Sequence, residues 1–148
     1  MQDSSPIRLY WPAIAVATVA SFLFEAVWFT VFMNPWLKGI GYTHTTYFAQ
    51  LQTQHLVTPN MQYLTALLCS IVASIVLTIL IQKTGPQTAL RGVKIAALVW
   101  LGFVATSFAK NYVFELRTLS IYLINTVYLL VDLCLLGAIL GAWKSKKT

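Results

Sequence analysis

Apolar residues form four long runs along this chain, and short polar stretches separate them. The runs extend over about residues 11–33, 61–81, 92–113 and 119–143. Each is close to the roughly 20 residues that a helix needs to cross about 30 Å of hydrocarbon. Lipid offers backbone N–H and C=O groups no hydrogen-bond partner, so runs of this length cross it as helices. The pattern predicts an all-α fold, a four-transmembrane-helix integral membrane bundle that makes residues 1–148 a single domain.

Breaker residues indicate where the first two spans end. We expect the first span to stop at Asn34-Pro35, because proline lacks a backbone donor, and the second to close before Gly85-Pro86. The first span carries Glu25 and Trp28 where a cleavable signal peptide would have small residues. We therefore expect the N-terminal span to remain attached.

The composition restricts the environment and the partners of the protein. The chain is 58% hydrophobic and 9% charged, whereas a soluble domain averages about 45–50% apolar and roughly 25% charged residues. Lipids are therefore the expected surroundings. Nucleic acid is excluded as a partner, because no basic module with base-stacking aromatic residues is present. Cys69 and Cys134 fall inside apolar runs, and we interpret them as packing residues.

The positions of the basic residues predict the orientation in the membrane. Four spans place both termini on one side, together with the connection between the second and third spans. That side carries seven Lys and Arg residues: Arg8, Lys83, Arg91, Lys94, Lys144, Lys146 and Lys147. The opposite side carries three: Lys38, Lys110 and Arg117. The positive-inside rule therefore predicts a protein of the cytoplasmic (inner) membrane with both termini in the cytoplasm.

The one long connection, residues 34–60, is expected on the outer side. Side chains suited to an apolar interface recur in it at helical spacing: Phe48, Leu51, His55 and Leu56. This predicts a short amphipathic helix that lies in the outer head-group plane and ends before Pro59.

Three stretches together resemble a known family. They are Phe24-Glu25-Ala26-Val27-Trp28-Phe29 in the first span, Trp100-Leu101-Gly102-Phe103 with Asn111-Tyr112-Val113-Phe114-Glu115 in the third, and Leu123-Ile124-Asn125 with Gly137-Ala138-Ile139-Leu140-Gly141 in the fourth. The combination is similar to the uncharacterised bacterial four-span membrane family called domain of unknown function 1761. The resemblance covers nearly the whole chain and implies the same four-helix fold, with no assigned activity. The family usually has Gly and a Trp-Tyr pair where this chain has Glu25 and Trp28-Phe29, so a role for Glu25 would be peculiar to this chain or its close relatives.

Two carboxyl side chains, Glu25 and Asp132, lie inside predicted spans. A charge there costs at least about 2.5–3.5 kcal/mol. Their depths are similar, so the two carboxyls would face each other if the first and fourth helices are neighbours. Asn125 precedes Asp132 by seven residues, which places both on nearly the same helix face. With three further polar residues, they form a predicted intramembrane polar seam: Glu25, Asn125, Tyr128, Asp132, Lys110 and Asn111.

The polar seam and the small residues each allow alternatives. The carboxyls would fix helix register through hydrogen bonds, line an ion, proton or solute pathway, or bind a partner. Gly137 and Gly141 form a predicted helix-packing face, used either within one bundle or in a homo-oligomer.

Enzyme signatures are absent from the sequence. It contains no HExxH, no GxSxG and no Gly-rich phosphate loop. His44 and His55 are eleven residues apart with no acidic residue nearby, so we predict no metal, no cofactor and no catalytic residue. A lipid-modifying enzyme that uses Glu25 or Asp132 as a base is the remaining enzymatic alternative.

The sequence favours a structural or interaction role, as an oligomeric or accessory membrane subunit. Its partners would then be lipids and either further copies of the chain or a larger membrane complex. The alternative is a small transporter or channel with a polar pathway past Glu25 and Asp132.

Overall fold

The computed structural model describes residues 7–53 and 58–143, and every regular element in these ranges is helical. The elements are α1 (Trp11–Gly39), α2 (His44–Thr53), α3 (Pro59–Lys83), α4 (Ala89–Val99), a π-helical segment (Trp100–Ala105), α5 (Thr106–Phe114) and α6 (Leu119–Ala142). From α4 to α5 the helix is continuous. Four helices are thus long and apolar enough to span a membrane, which confirms the predicted all-α fold of four spans with a short helix in the first long connection.

The predicted stop at Asn34-Pro35 is wrong, because α1 continues through Pro35 to Gly39. Proline removes one hydrogen bond near the end of the helix, but the final turn is closed by other backbone groups. The N–H of Ile40 donates to the Trp36 and Leu37 carbonyl oxygens at 3.1 and 3.2 Å. Leu37 is 1% exposed, so packing also holds this turn in place.

The other span ends differ from the predicted ones by a few residues, and local capping explains two of them. Thr58 caps α3 by accepting a hydrogen bond from the Met61 N–H at 3.3 Å, and Pro59 occupies the first turn. Thr88 caps α4 in the same way through the Arg91 N–H at 3.2 Å. The predicted helix of the outer connection is α2. Two residues used to predict it, His55 and Leu56, lie outside the described residues.

The π-helical segment was not predicted from the sequence. Its first residue, Trp100, donates its indole N–H to the backbone carbonyl of Thr126 on α6 at 2.7 Å. Tyr122 on α6 also donates its hydroxyl to the Ala105 carbonyl at 3.5 Å. Two side-chain hydrogen bonds therefore tie the segment to α6 at both of its ends.

Helix α6 is the centre of the bundle and packs against α1, α3 and α4. Its contact with α4 is the closest, because glycines on both helices let the backbones touch. A Cβ atom on Gly137 would collide with the Gly92 carbonyl group, and one on Gly141 would collide with the Thr88 carbonyl oxygen. Gly137 and Gly141 thus face another helix of the same chain.

The apolar core lies in one half of the bundle. We call it the terminal half, because α1 begins and α6 ends there, and we call the other half the α2 half. Eight buried residues of the terminal half form one cluster: Ala13, Ile14, Ala17, Leu77, Ile81, Ala96, Leu136 and Leu140. In the α2 half, by contrast, no residue from 58 to 69 of the α3 region is buried.

Candidate functional site

Two pairs of hydroxyl groups join α1 to α3 near the middle of the bundle. Thr18 Oγ1 lies 3.4 Å from Ser74 Oγ, and Ser21 Oγ lies 3.2 Å from Ser70 Oγ. Both pairs are buried, and their spacing of three and four residues puts each set on one helix face. The small side chains bring α1 and α3 together at this level.

Glu25, Tyr128 and Asp132 meet where α1 packs against α6. The Glu25 carboxyl, one turn beyond Ser21, faces the Tyr128 hydroxyl, and Asp132 is close enough for its charge to act on both groups. The Asp132 carboxyl faces the Ser21 hydroxyl. The structure therefore brings three of the six predicted seam residues together, and joins them to the hydroxyl pairs between α1 and α3.

Asp132 is the most buried charged side chain of the seam. It is 6% exposed, and its Oδ1 atom has no hydrogen-bond partner within the described part of the chain. Leaving such an atom unsatisfied costs about 1–3 kcal/mol, and more if the group is charged. Because a buried carboxyl without a full set of partners is costly, the seam is the chemically distinctive part of the bundle.

An aromatic cluster holds the Tyr128 ring in place. The ring stacks on Phe24 with centroids 5.9 Å apart, and it contacts Phe29 edge to face at 5.3 Å. The ring centroids of Trp28 and Tyr128 are 6.3 Å apart. These contacts fix the position of the hydroxyl that meets Glu25. The Phe24 and Trp28 spacing of four residues was the sequence signal for this cluster.

The other three predicted seam residues lie elsewhere in the α2 half. Asn125 and Asn111 line a cavity of about 180 Å³ between the end of α1, α5 and α6, and Lys110 is exposed on α5. Asn125 does share a helix face with Asp132, but different helices cover that face at the two depths. Among the described residues, the ion pair found is the one between Arg117 and Glu115, at 2.9 Å.

A larger cavity of about 590 Å³ lies between α1, α2 and α3 in the α2 half. Glu25, in the middle of α1, lies in the cavity wall one turn from Phe22. One face of α1 lines it, with aromatic residues at intervals of seven: Phe22, Phe29 and Trp36. Sequence analysis missed this cavity, although the seven-residue aromatic spacing on the Glu25 face was a signal for it.

Aromatic contacts continue around the cavity from α1 to α2. The Trp36 ring contacts the rings of Phe29 and Tyr47 edge to face, with centroid distances of 5.7 and 6.0 Å. The Tyr47 ring contacts that of Phe48 in the same way, with centroids 5.5 Å apart. A hydrogen bond from the Gln62 side chain to the Tyr47 hydroxyl, at 3.4 Å, joins α3 to α2 in the cavity wall. The cavity wall is therefore built by three helices together.

In residues 7–53 and 58–143, no group of three or more His, Cys, Asp and Glu side chains is placed to hold a metal ion. His44 is exposed at the start of α2. Its ring lies against that of Phe48 in a tilted arrangement, with ring centroids 4.7 Å apart. His55, the other histidine considered for a metal pair, lies outside those ranges.

Comparison with known proteins gives a family. No curated protein and no solved structure matches the chain. A family model matches residues 12–141, which include all four spans, and so confirms the resemblance noted from the sequence. The chain therefore belongs to the family described as Protein of unknown function (DUF1761).

Proposed function

We propose that this protein is a structural or interaction subunit of the bacterial cytoplasmic membrane, either in a homo-oligomer or as an accessory to a larger complex. The proposal assigns it no catalytic reaction. Both termini would lie in the cytoplasm and α2 on the outer surface. The support is the distribution along the sequence, because seven of the ten Lys and Arg residues fall in the two terminal segments and around the connection between the second and third spans.

The observation that carries the proposal is a polar face on α5. Thr106, Ser107, Lys110 and Asn111 are all exposed, and their spacing of three and four residues puts them on one side of the helix. The Thr106 hydroxyl donates within its own helix, to the Gly102 carbonyl at 2.8 Å, so Ser107 and Asn111 carry the hydroxyl and amide groups that a neighbouring helix would meet. Such groups form hydrogen bonds between membrane helices, worth about 0.6–2 kcal/mol each. This face is therefore better suited to another helix than to lipid.

The exposed face of α1 shows what a lipid-facing surface of this protein looks like. Its exposed side chains from Val16 to Val31 include five aliphatic ones: Val16, Val19, Leu23, Val27 and Val31. The exposed polar side chains of Asn34 and Lys38 follow in the last two turns of the helix. On the α5 side, Gly102 is also exposed, and a Cβ atom there would meet nothing within 4 Å. Gly102 and Thr106 are four residues apart, so a second helix backbone could approach closely beside the polar face.

Cysteine crosslinking in native membranes tests this proposal. Ser107→Cys and Val31→Cys, each in a Cys69→Ala/Cys134→Ala background, compare the polar face with the aliphatic one. We expect Ser107→Cys to crosslink to a second chain or a partner, and Val31→Cys to stay monomeric. Equal crosslinking at both positions, or none at Ser107→Cys, would contradict the proposal.

The second candidate is a small transporter whose pathway passes Glu25 and Asp132. Support comes from the unsatisfied Asp132 Oδ1 atom beside Glu25 and Tyr128. The apolar cluster fills the bundle on the terminal side of Asp132, so a pathway requires the helices to move between two arrangements. Transport predicts flux into liposomes that Glu25→Gln and Asp132→Asn abolish while assembly remains intact; a subunit role predicts no flux.

A further inference from the structure

We infer that the cavity between α1, α2 and α3 is a binding site for a monovalent organic cation with apolar or aromatic groups. The cavity volume is about 590 Å³. Small-molecule sites commonly enclose about 300–1,000 Å³. The space is far larger than a bare metal ion or a proton needs. This inference is independent of the subunit role, because the cavity and the polar face of α5 share no residue.

Charge complementarity indicates a cation. Among the described residues that line the cavity, Glu25 is the one with a charged side chain. In the described part of the chain Glu25 forms no ion pair, and Tyr128 is the group that its carboxyl faces on α6. A carboxylate in the wall of an apolar cavity is stabilised by an opposite charge, whereas an anionic ligand would be repelled. Of the two carboxyls that meet between α1 and α6, Glu25 lines the cavity and Asp132 does not, so a ligand in the cavity meets one carboxylate directly, which favours a single positive charge.

The aromatic lining indicates the same class of ligand. Within residues 7–53 and 58–143, six aromatic residues line the cavity: Phe22, Phe29, Trp36, Tyr47, Phe48 and Tyr63. Cations are attracted to the faces of Trp, Tyr and Phe rings, and Trp is the strongest of the three. Consecutive rings along the wall are nearly perpendicular, with interplanar angles of 79°, 81° and 87°. Ring faces therefore point in several directions, which suits a bulky cation with several substituents.

Polar groups on α2 and at the beginning of α3 complete the site. They are Gln52 and the Tyr47 hydroxyl on α2, and Gln62 in the first turn of α3. They offer hydrogen bonds to a polar end of the ligand at head-group level. An amphiphilic cation would thus place its charge and rings between Glu25 and the aromatic wall, and keep polar substituents near the surface.

Binding of tetraphenylphosphonium to the full-length protein tests the inference. The protein is placed in nanodiscs of phosphatidylcholine, a lipid without net charge, and binding of the labelled cation is measured by scintillation proximity. Tetraphenylborate has nearly the same shape and the opposite charge, and serves as the probe control. We expect saturable binding of the cation and none of the anion.

Variants assign the binding to the cavity. We expect Glu25→Gln to weaken binding by about tenfold or more, because the opposite charge is lost, and Trp36→Leu by about three- to fivefold, through the lost cation–π contact. Glu115→Gln removes a carboxylate outside the cavity, and should change the affinity by less than about twofold.

Three results would overturn the inference. They are no saturable binding of tetraphenylphosphonium, equal binding of tetraphenylborate, or full affinity in Glu25→Gln. The last two would make the cavity an apolar lipid site without charge selection. If Glu25→Gln does not yield monodisperse protein, the probe comparison and Trp36→Leu still decide the matter. None of these binding results depends on the oligomeric state of the protein.

Discussion

The terminal half and the α2 half of the bundle are built from the same four spans but packed in opposite ways. In the terminal half, small residues such as Ala13, Ala17 and Gly137 bring the helices into close contact around an apolar cluster. In the α2 half, α1 carries large aromatic residues, and both described cavities lie there. From this difference we propose that the terminal half holds the fold together and that the α2 half carries the function.

Adding a side chain between α4 and α6 should have the largest effect on stability. Gly137→Leu forces a branched side chain against the Gly92 carbonyl group, and we expect a loss of about 3 kcal/mol or more. Gly102→Leu is the matched control, since a Cβ atom there meets nothing within 4 Å. Unfolding in increasing concentrations of SDS, followed by circular dichroism, measures both. Similar losses for the two variants would mean that the glycine contact does not hold the terminal half together.

Removing apolar volume should lower the stability by less than the glycine substitution does, and by different amounts in the two halves. Leu136 is fully buried in the terminal cluster, and Leu136→Ala should lower the free energy of unfolding by about 2–3 kcal/mol. Leu51 lies on α2 beside the larger cavity and is partly exposed. Leu51→Ala should therefore cost less than about 1 kcal/mol in the same unfolding measurement. A larger loss for Leu51→Ala would reverse the roles assigned to the two halves.

The hydroxyl pairs at the boundary between the halves should contribute least. Ser70→Ala removes the hydrogen bond to Ser21 but leaves the Ser21 hydroxyl beside Asp132, and we expect a loss of about 0.6 kcal/mol, the average for such bonds between membrane helices. Thr30→Ala is the control, because the Thr30 hydroxyl donates to the Ala26 carbonyl of its own helix. If the two variants unfold at the same SDS concentration, the Ser70 hydroxyl adds nothing between helices.

The spans were predictable because the membrane thickness sets their length and apolar runs reveal it. The meeting of Glu25 with Asp132 was predictable for a similar reason, since both depths can be counted from the spans and α1 does neighbour α6. These predictions needed helix geometry and one assumption about neighbours.

The remaining features depend on which helices are adjacent at each depth. Asn125 lies on the helix face predicted for it. It lines the smaller cavity together with Asn111 and does not meet Glu25. The spacing of Gly137 and Gly141 indicated a close contact without naming α4 as the partner. The larger cavity is a space between three helices, so no single helix pattern specifies it. In the same way, the π-helical segment depends on hydrogen bonds to α6 that lie 17 and 26 residues away in the sequence.

The assignment of function to the α2 half is tested most directly by native mass spectrometry of the protein extracted gently from its own membrane. Wild type is compared with Ser107→Leu/Asn111→Leu, which makes the polar face of α5 aliphatic like the exposed face of α1. We predict that the wild-type chain is released in a complex, with further copies of itself or with a partner, and that the double variant is released as a monomer. A monomeric wild type, or a complex that the double variant leaves intact, would contradict the account.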